Sequence, residues 1–324
     1  MAAERLSLDC SAHLAPDIPT LLNRLRQAAA SRAPGDWVRA TGFDEAFVAE
    51  RRLPTIEELD DVAPDTPLVL HHRSGHLQLR NAAAGDDPAP AIDGDELADA
   101  MRGISIELAR AGVVELHDAS PSNVDDWRLL SRWVDELVIT QELTVMPGVA
   151  HLDAFAEAGL HHGARHGHTT VGPAKVLNPP QGIDAAVRAA HERDWPVAVH
   201  VMEIDELGEA LGVVGPGDRL EHVALSLPEQ VDRIARSGAT VVTQPSFLVH
   251  RRTKYLEQLT PTEHAWLYRV RSLLDAGVPV HLSSDAPVVP ADPDDIVRGA
   301  VERELNPAEA VDVDTARALL APTA

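Results

Sequence analysis

Three short apolar runs in this chain end on groups that bind metals or move protons: Val197-Ala-Val-His200, Arg219-Leu-Glu-His222 and Val280-His-Leu-Ser-Ser-Asp285. A fourth, Val171-Gly-Pro-Ala-Lys175-Val, carries a lysine in otherwise apolar surroundings. Imidazole nitrogens and a carboxylate oxygen suit a divalent transition metal, whose bound water falls to a pKa of about 7 and becomes a nucleophile at neutral pH. A carboxylate beside that water is placed to accept its proton. Taken singly, a strand-end histidine is more often a hydrogen-bonded core or loop residue, Asp285 before Ala-Pro opens a turn, and Lys175 snorkels to solvent. Taken together, Lys175, His200, His222 and Asp285 at the ends of several strands point to one site.

Such a site needs strands that run the same way. From about residue 95 a unit repeats along the chain: a helix pattern, a short apolar strand, a polar loop. The strand windows are 113–118, 143–146, 171–176, 196–200, 219–222, 240–244 and 278–283. Helices are punctuated between them: Ser226-Leu-Pro-Glu229 and Thr260-Pro-Thr-Glu263 have capping-box spacing, Asp292-Pro293 opens a helix, and Gly238 and Gly277 stand where helices end. Near-continuous apolar strands alternating with helices imply a parallel sheet covered on both faces. No glycine-rich phosphate loop follows a strand, so a nucleotide-binding open sheet has no support. Chemistry at many strand ends favours a closed barrel, whose active site lies at the C-terminal mouth.

The N-terminal third reads differently. Residues 17–32 put Leu21, Leu22, Leu25 and Ala29 on one helical stripe; strands at 36–42 and 67–72 then flank a short helix opened by Thr55-Ile-Glu-Glu58. The expected division is a helical barrel segment at 1–35, an αβ insertion at 36–85 and the main part of the barrel, strands two to eight, at 86–324.

The bulk numbers narrow the partners. Of 324 residues, 44% are hydrophobic, enough for one large α/β domain with an accessory piece. With 28 basic against 51 acidic residues the net charge is −23, so nucleic acid and anionic membranes are repelled, and no local basic patch offsets this. A small molecule is the expected partner. One cysteine, Cys10, excludes an intramolecular disulfide and fits a cytoplasmic location. No run approaches eighteen apolar residues and the N-terminus has no apolar signal core.

Lys175, the His200 strand, Arg219-Leu-Glu-His222, Val242-Thr-Gln-Pro-Ser246 and Ser283-Ser-Asp-Ala-Pro287 together resemble the metal-dependent amidohydrolase superfamily, in its amidohydrolase-3 branch, which includes N-substituted formamide deformylases. Asp36-Trp-Val-Arg-Ala-Thr-Gly-Phe-Asp-Glu45 and His72-Arg-Ser-Gly-His76 followed by Asn81 are similar to that branch's insertion. The resemblance implies a TIM-like (β/α)8 barrel that hydrolyses a C–N bond of an amide or formamide through metal-activated water. It implies a carboxylated Lys175 bridging two metals, His200 and His222 on one of them, Asp285 as metal ligand and proton handler, and His76 against the substrate. Zinc is the implied ion, one or two per chain.

The pattern also departs from the family. The superfamily's first barrel strand carries a His-x-His that completes the metal site, and Leu8-Asp-Cys-Ser-Ala-His13 is similar to the region just after it. The barrel is therefore expected to be incomplete, lacking strand one and the small β-sandwich domain, with unpaired edges that segment 5–12, a rearranged strand or a second copy in a homo-oligomer would fill. A catalytically inactive remnant that binds a small molecule, and a metal-free acid–base enzyme, stand as alternatives. The His166-Gly-His168 pair precedes strand four and reads as a solvated loop; His71, His72, His250, His264 and His281 read as ordinary polar residues.

Overall fold

In the computed structural model, which describes residues 1–33, 35–75, 77–86 and 88–321, the chain divides into two units, Met1–Ile104 and Ser105–Ala324. The first is built on a four-stranded sheet of β1 (Leu8–Asp9), β2 (Val38–Phe43), β3 (Leu68–His72) and β4 (Gln78–Arg80), in that order. β1 and β3 run parallel to β2, and β4 returns antiparallel to β3. Helix Ile18–Ala30 is capped by the Asp17 carboxylate, which accepts the Thr20 N–H at 2.7 Å, and it buries Ile18, Leu21, Leu25 and Ala29. Those side chains share one core with Val38, Ala40, Leu68 and Leu70. The expected division at 35/36 thus falls inside this unit, because the helix and the sheet bury each other's apolar faces. Segment 5–12, a candidate for the barrel gap, instead lays Leu8 beside Ala40 and Asp9 beside Thr41 of β2.

One local expectation in this unit is met by visible bonds. Thr55 and Glu58 cap helix Ile56–Val62 reciprocally. Asn81 is buried and ties the start of β3 to the end of that helix: it accepts the Leu68 N–H at 2.9 Å and donates to Ala63 O at 2.7 Å and Thr66 O at 2.9 Å. His76, expected at the substrate, lies outside the described residues.

The second unit is a run of parallel strands joined by helices. One sheet has the order β5 (Glu115–Ser122), β6 (Glu142–Pro147), β8 (Thr169–Val171), β7 (Arg165–His166); the other runs β9 (Ala174–Val176), β10 (Val197–Val201), β11 (Arg219–His222), β12 (Thr240–Thr243), β13 (Val280–Leu282). All pairings are parallel except β7 with β8. The window 171–176, expected as one strand, is cut at Gly172-Pro173. Pro173 has no N–H for a ladder, and Gly172 lies so close to β6 that a Cβ there would meet Thr144 Cγ2 at 2.7 Å. A parallel bridge between Gly148 and Lys175 joins the two sheets at this break. Strand follows strand in chain order, with Val199, Leu220 and Val241 packed in one core with Ala186, Leu207 and Ile234 of the intervening helices. Among the described residues no ladder joins β13 to β5.

The helix ends follow the punctuation with one correction. Thr260 and Glu263 form a capping box, Asp292 caps Pro293–Val301, and Gly238 ends Pro228–Ser237 in the left-handed region at φ 74°. The cap of that last helix sits one residue later than the Ser226–Glu229 spacing predicts. Leu227 N–H donates to Gln230 Oε1 at 2.9 Å, Pro228 fills the first helical position, and Ser226 is fully buried. No described helix is long and apolar enough to cross a membrane.

Candidate active site

Parallel strands place their C-terminal ends on one edge, and four of the five residues singled out in the sequence come from there. Lys175 lies within β9 and is 5% exposed; His200 is the penultimate residue of β10; His222 ends β11 and is 5% exposed; Asp285 stands three residues beyond β13. The His200 and His222 rings meet at 4.6 Å between centroids, edge to face.

The backbone is strained at two of the four. His222 has φ 70° and Val223 φ 48°, and Val223 N–H donates back to Glu221 O at 3.0 Å, so His222 is the centre of a tight three-residue turn. Thr243 Oγ1 pins the turn by donating to His222 O at 2.7 Å. Asp285 has φ 62°. Left-handed non-glycine residues cost about 1–3 kcal/mol each and gather where the surroundings force a functional geometry.

The electrostatics of Lys175, His222 and Asp285 are mutually adjusted. Burial, aided by the charge of Lys175, pushes His222 down to about 3, against a contact with Gln244, so its imidazole is neutral and carries a free lone pair. His222 Nδ1 is buried with no hydrogen-bond partner among the described residues. Burial likewise lowers Lys175, opposed by the charges of Glu221, Asp285 and Asp118 and assisted by Arg219. Asp285 is raised to about 7, first by burial and then by repulsion from Glu221, while Lys175 and Arg251 pull the other way. A carboxyl tuned to neutrality is suited to exchange a proton at working pH.

Behind the site runs a chain of polar side chains on which sequence reasoning placed no role. Glu115 Oε1 meets His117 Nε2 at 2.6 Å, His117 Nδ1 meets Arg219 Nη1 at 2.8 Å, and Arg219 Nε donates to Glu221 Oε1 at 2.9 Å. The signal was available: Arg219 and Glu221 sit two apart on a strand, hence on one face. The chain fixes Glu221, and with it the residue that opens the His222 turn.

Other histidines are elsewhere. His166 and His168 sit in the exposed turn of the β7–β8 ribbon, paired with Asp135 at 3.1 Å and with Glu142. In the first unit His72, read as an ordinary polar residue, meets Glu45 Oε2 at 2.9 Å and Asp44 Oδ1 at 3.7 Å. Asp44, Glu45 and His72 bring ligand atoms within 4.8 Å of one another. Ser74 meets the other ring nitrogen, Nδ1, with its Oγ at 2.7 Å and its N–H at 3.0 Å.

Comparison with known proteins gives the lineage. The sequence profile of the Amidohydrolase family matches residues 3–175 and 150–322. N-substituted formamide deformylase of Arthrobacter pascens is 26% identical over 399 aligned positions, covering 96% of this chain and 73% of that protein. An uncharacterized metal-dependent hydrolase of Pyrococcus horikoshii superposes with a TM-score of 0.72 at 19% identity, covering 97% of this chain and 76% of its own. Its counterpart from Pyrococcus furiosus gives 0.70 at 18%, covering 97% and 77%. These two share the fold. The chain belongs to the amidohydrolase family, in its amidohydrolase-3 branch, and is a hydrolase acting on carbon–nitrogen bonds.

Proposed function

We propose that this protein hydrolyses the C–N bond of a small non-peptide amide of the N-substituted formamide type, with water activated on a divalent metal, zinc being the ion that best suits the donors. The observation that carries the proposal is the buried, unpartnered Nδ1 of His222 beside the His200 ring. A buried polar atom left without a partner costs about 1–3 kcal/mol, and a metal ion between imidazoles and carboxylates removes that cost. The donor set of Lys175, His200, His222 and Asp285 fits such an ion. When bound, the metal supplies a Lewis acid that brings the pKa of water to about 7 and polarises the scissile carbonyl.

The chain's own groups do the rest. His222 is neutral at any working pH and is held in one orientation by its strained turn. Asp285 accepts the proton of the attacking water and returns it to the departing nitrogen, so amide and water become acid and amine. Lys175 is biased by burial toward its neutral amine. That form adds carbon dioxide with loss of one proton, giving the carbamate oxygen ligands that the family resemblance implies. The strand order β5, β6, then β8 and β9 as the two halves of one interrupted strand, then β10 to β13 supports a (β/α)8-type scaffold in which these are the second to the eighth strands.

Elemental analysis of protein purified without an affinity tag tests this reading, alongside turnover of an N-substituted formamide before and after chelation. Close to one or more zinc-like ions per chain, lost in His222→Ala together with activity, is the expected result. Activity that survives chelation would overturn it in favour of metal-free acid–base chemistry, and absence of both metal and activity in favour of a binding remnant.

A further inference from the structure

One face of β11 carries an ion pair that ends next to a candidate metal ligand. Register sets Arg219 beside Ala198 of β10 and Thr240 of β12, and Glu221 beside His200 and Val242. Alternation turns both side chains away from the face of Leu220, which packs in the core shared with the helices. Arg219 Nε and Nη2 both reach Glu221 Oε1, at 2.9 and 2.8 Å. Its Nη1 continues to His117 Nδ1 at 2.8 Å, across 102 residues of sequence and into the other sheet. A guanidinium only donates, so His117 Nδ1 accepts and the ring proton sits on Nε2, facing Glu115 Oε1 at 2.6 Å.

Stability is a weak reason for such a pair. Glu221 is 4% exposed, and a buried ion pair replaced by apolar groups of similar volume commonly leaves a fold as stable or more so. What the pair holds is the turn. Glu221 O accepts the Val223 N–H at 3.0 Å, which closes the three-residue turn around His222. A left-handed residue such as His222, at φ 70°, persists only where its surroundings over-determine it. Thr243 Oγ1 secures the turn at His222 O. The Arg219 guanidinium secures it at Glu221, and through His117 it ties both to β5. Outer hydrogen bonds of this kind orient the groups that bind a metal.

We propose that Arg219 is a positioning residue for metal binding: by holding Glu221 against His117 of β5 it keeps the turn closed and the His222 imidazole aimed at the ion. The inference rests on the metal-hydrolase reading of the site, and it has a readout in the metal-free protein.

Position is separated from stability by removing the whole pair. Arg219→Met alone leaves Glu221 buried and unpaired and weakens the fold; Arg219→Met together with Glu221→Met keeps it about as stable as wild type in urea. Zinc affinity of the full chain is measured by competition with a coloured chelator. The double variant binds zinc about 10–100-fold more weakly than wild type. In metal-free protein, hydrogen exchange of the Val223 amide is about tenfold or more faster in the double variant at equal global stability. Arg219→Lys, which keeps the charge without the fork, falls between in both measurements and carries the comparison should the double variant not fold. Wild-type zinc affinity or wild-type Val223 exchange, in a folded double variant or in Arg219→Lys, overturns the proposal. Should wild type bind no zinc, the metal reading fails while the Val223 exchange rate still decides whether Arg219 holds the turn.

Discussion

The His200 and His222 rings meet edge to face, 75° between planes, although the register of β10 and β11 sets His222 opposite Val201 and His200 opposite Glu221. In a regular strand His222 would point to the opposite face from Glu221 and His200. The turn centred on His222 breaks that alternation and delivers its ring back toward His200. Convergence of the two imidazoles is thus obtained by strain at the last residue of the strand.

His222→Ala should therefore separate function from stability. Metal content falls below a tenth of an ion per chain and activity falls with it. The metal-free fold, by contrast, changes by less than about 1 kcal/mol, because removal of a buried unsatisfied nitrogen offsets the packing lost with the ring. Urea unfolding in chelator, beside elemental analysis, checks both halves; a large loss of stability in chelator would show that the ring is held by packing alone.

Asp285→Asn is a test with a sign in pH. The carboxyl is raised from 3.8 to about 7 in the folded chain. A group held above its unfolded value favours the protonated fold, so ionising it costs stability that is absent below about pH 4, grows through the interval, and is constant above about 7. The metal-free variant should match wild type near pH 4 and exceed it at pH 8 by an amount bounded by about 4 kcal/mol. Turnover of the metal-loaded variant should drop about 10²-fold or more. Parallel denaturation curves at both pH values would refute the assignment of a raised carboxyl.

Most of this site was legible because its residues end apolar runs, and a polar group in such a run has to be satisfied by something. Lys175, His200, His222 and Asp285 could be named from spacing and resemblance. The positive φ values of His222 and Asp285 could not, because neither residue is a glycine and nothing local demands a left-handed backbone there. The Glu115–His117–Arg219–Glu221 chain was missed since its members lie on two strands far apart in sequence. In the fold, alternating strands and helices gave the parallel sheets. The break at Gly172-Pro173 and the pairing of Leu8–Asp9 with β2 depend on which backbone lies alongside, a tertiary fact.

His72 supplies a pH-dependent bond in the first unit. Its contact with Asp44, helped by the charges of Asp44 and Glu45, raises its pKa above 6.5 against the effect of burial. A histidine raised in the fold contributes stability that is full below the unfolded value and is lost as pH rises through the folded one. Wild type should lose stability between pH 6 and pH 8 relative to His72→Gln, whose difference curve has no such step. Urea midpoints across that range check it; a flat difference would mean that the imidazole is not charged against Asp44.

Gly299 joins the site loop to the scaffold by close approach. It lies in helix Pro293–Val301, and a Cβ there would stand 2.3 Å from Pro245 O, 2.5 Å from Pro245 C and 2.7 Å from Ser246 N. All three are backbone atoms, so no side chain can turn aside, and the helix or the segment leading to Arg251 must shift. Gly299→Ala should destabilise by about 1–3 kcal/mol, since the helix and the Pro245–Ser246 backbone cannot both keep their places. Gly215→Ala is the control: nothing lies within 4 Å of its added methyl, and the loss of chain entropy in the unfolded state makes it neutral or stabilising by up to about 1 kcal/mol. Equal behaviour of the two variants in thermal unfolding would show that the helix and the loop are not in this contact.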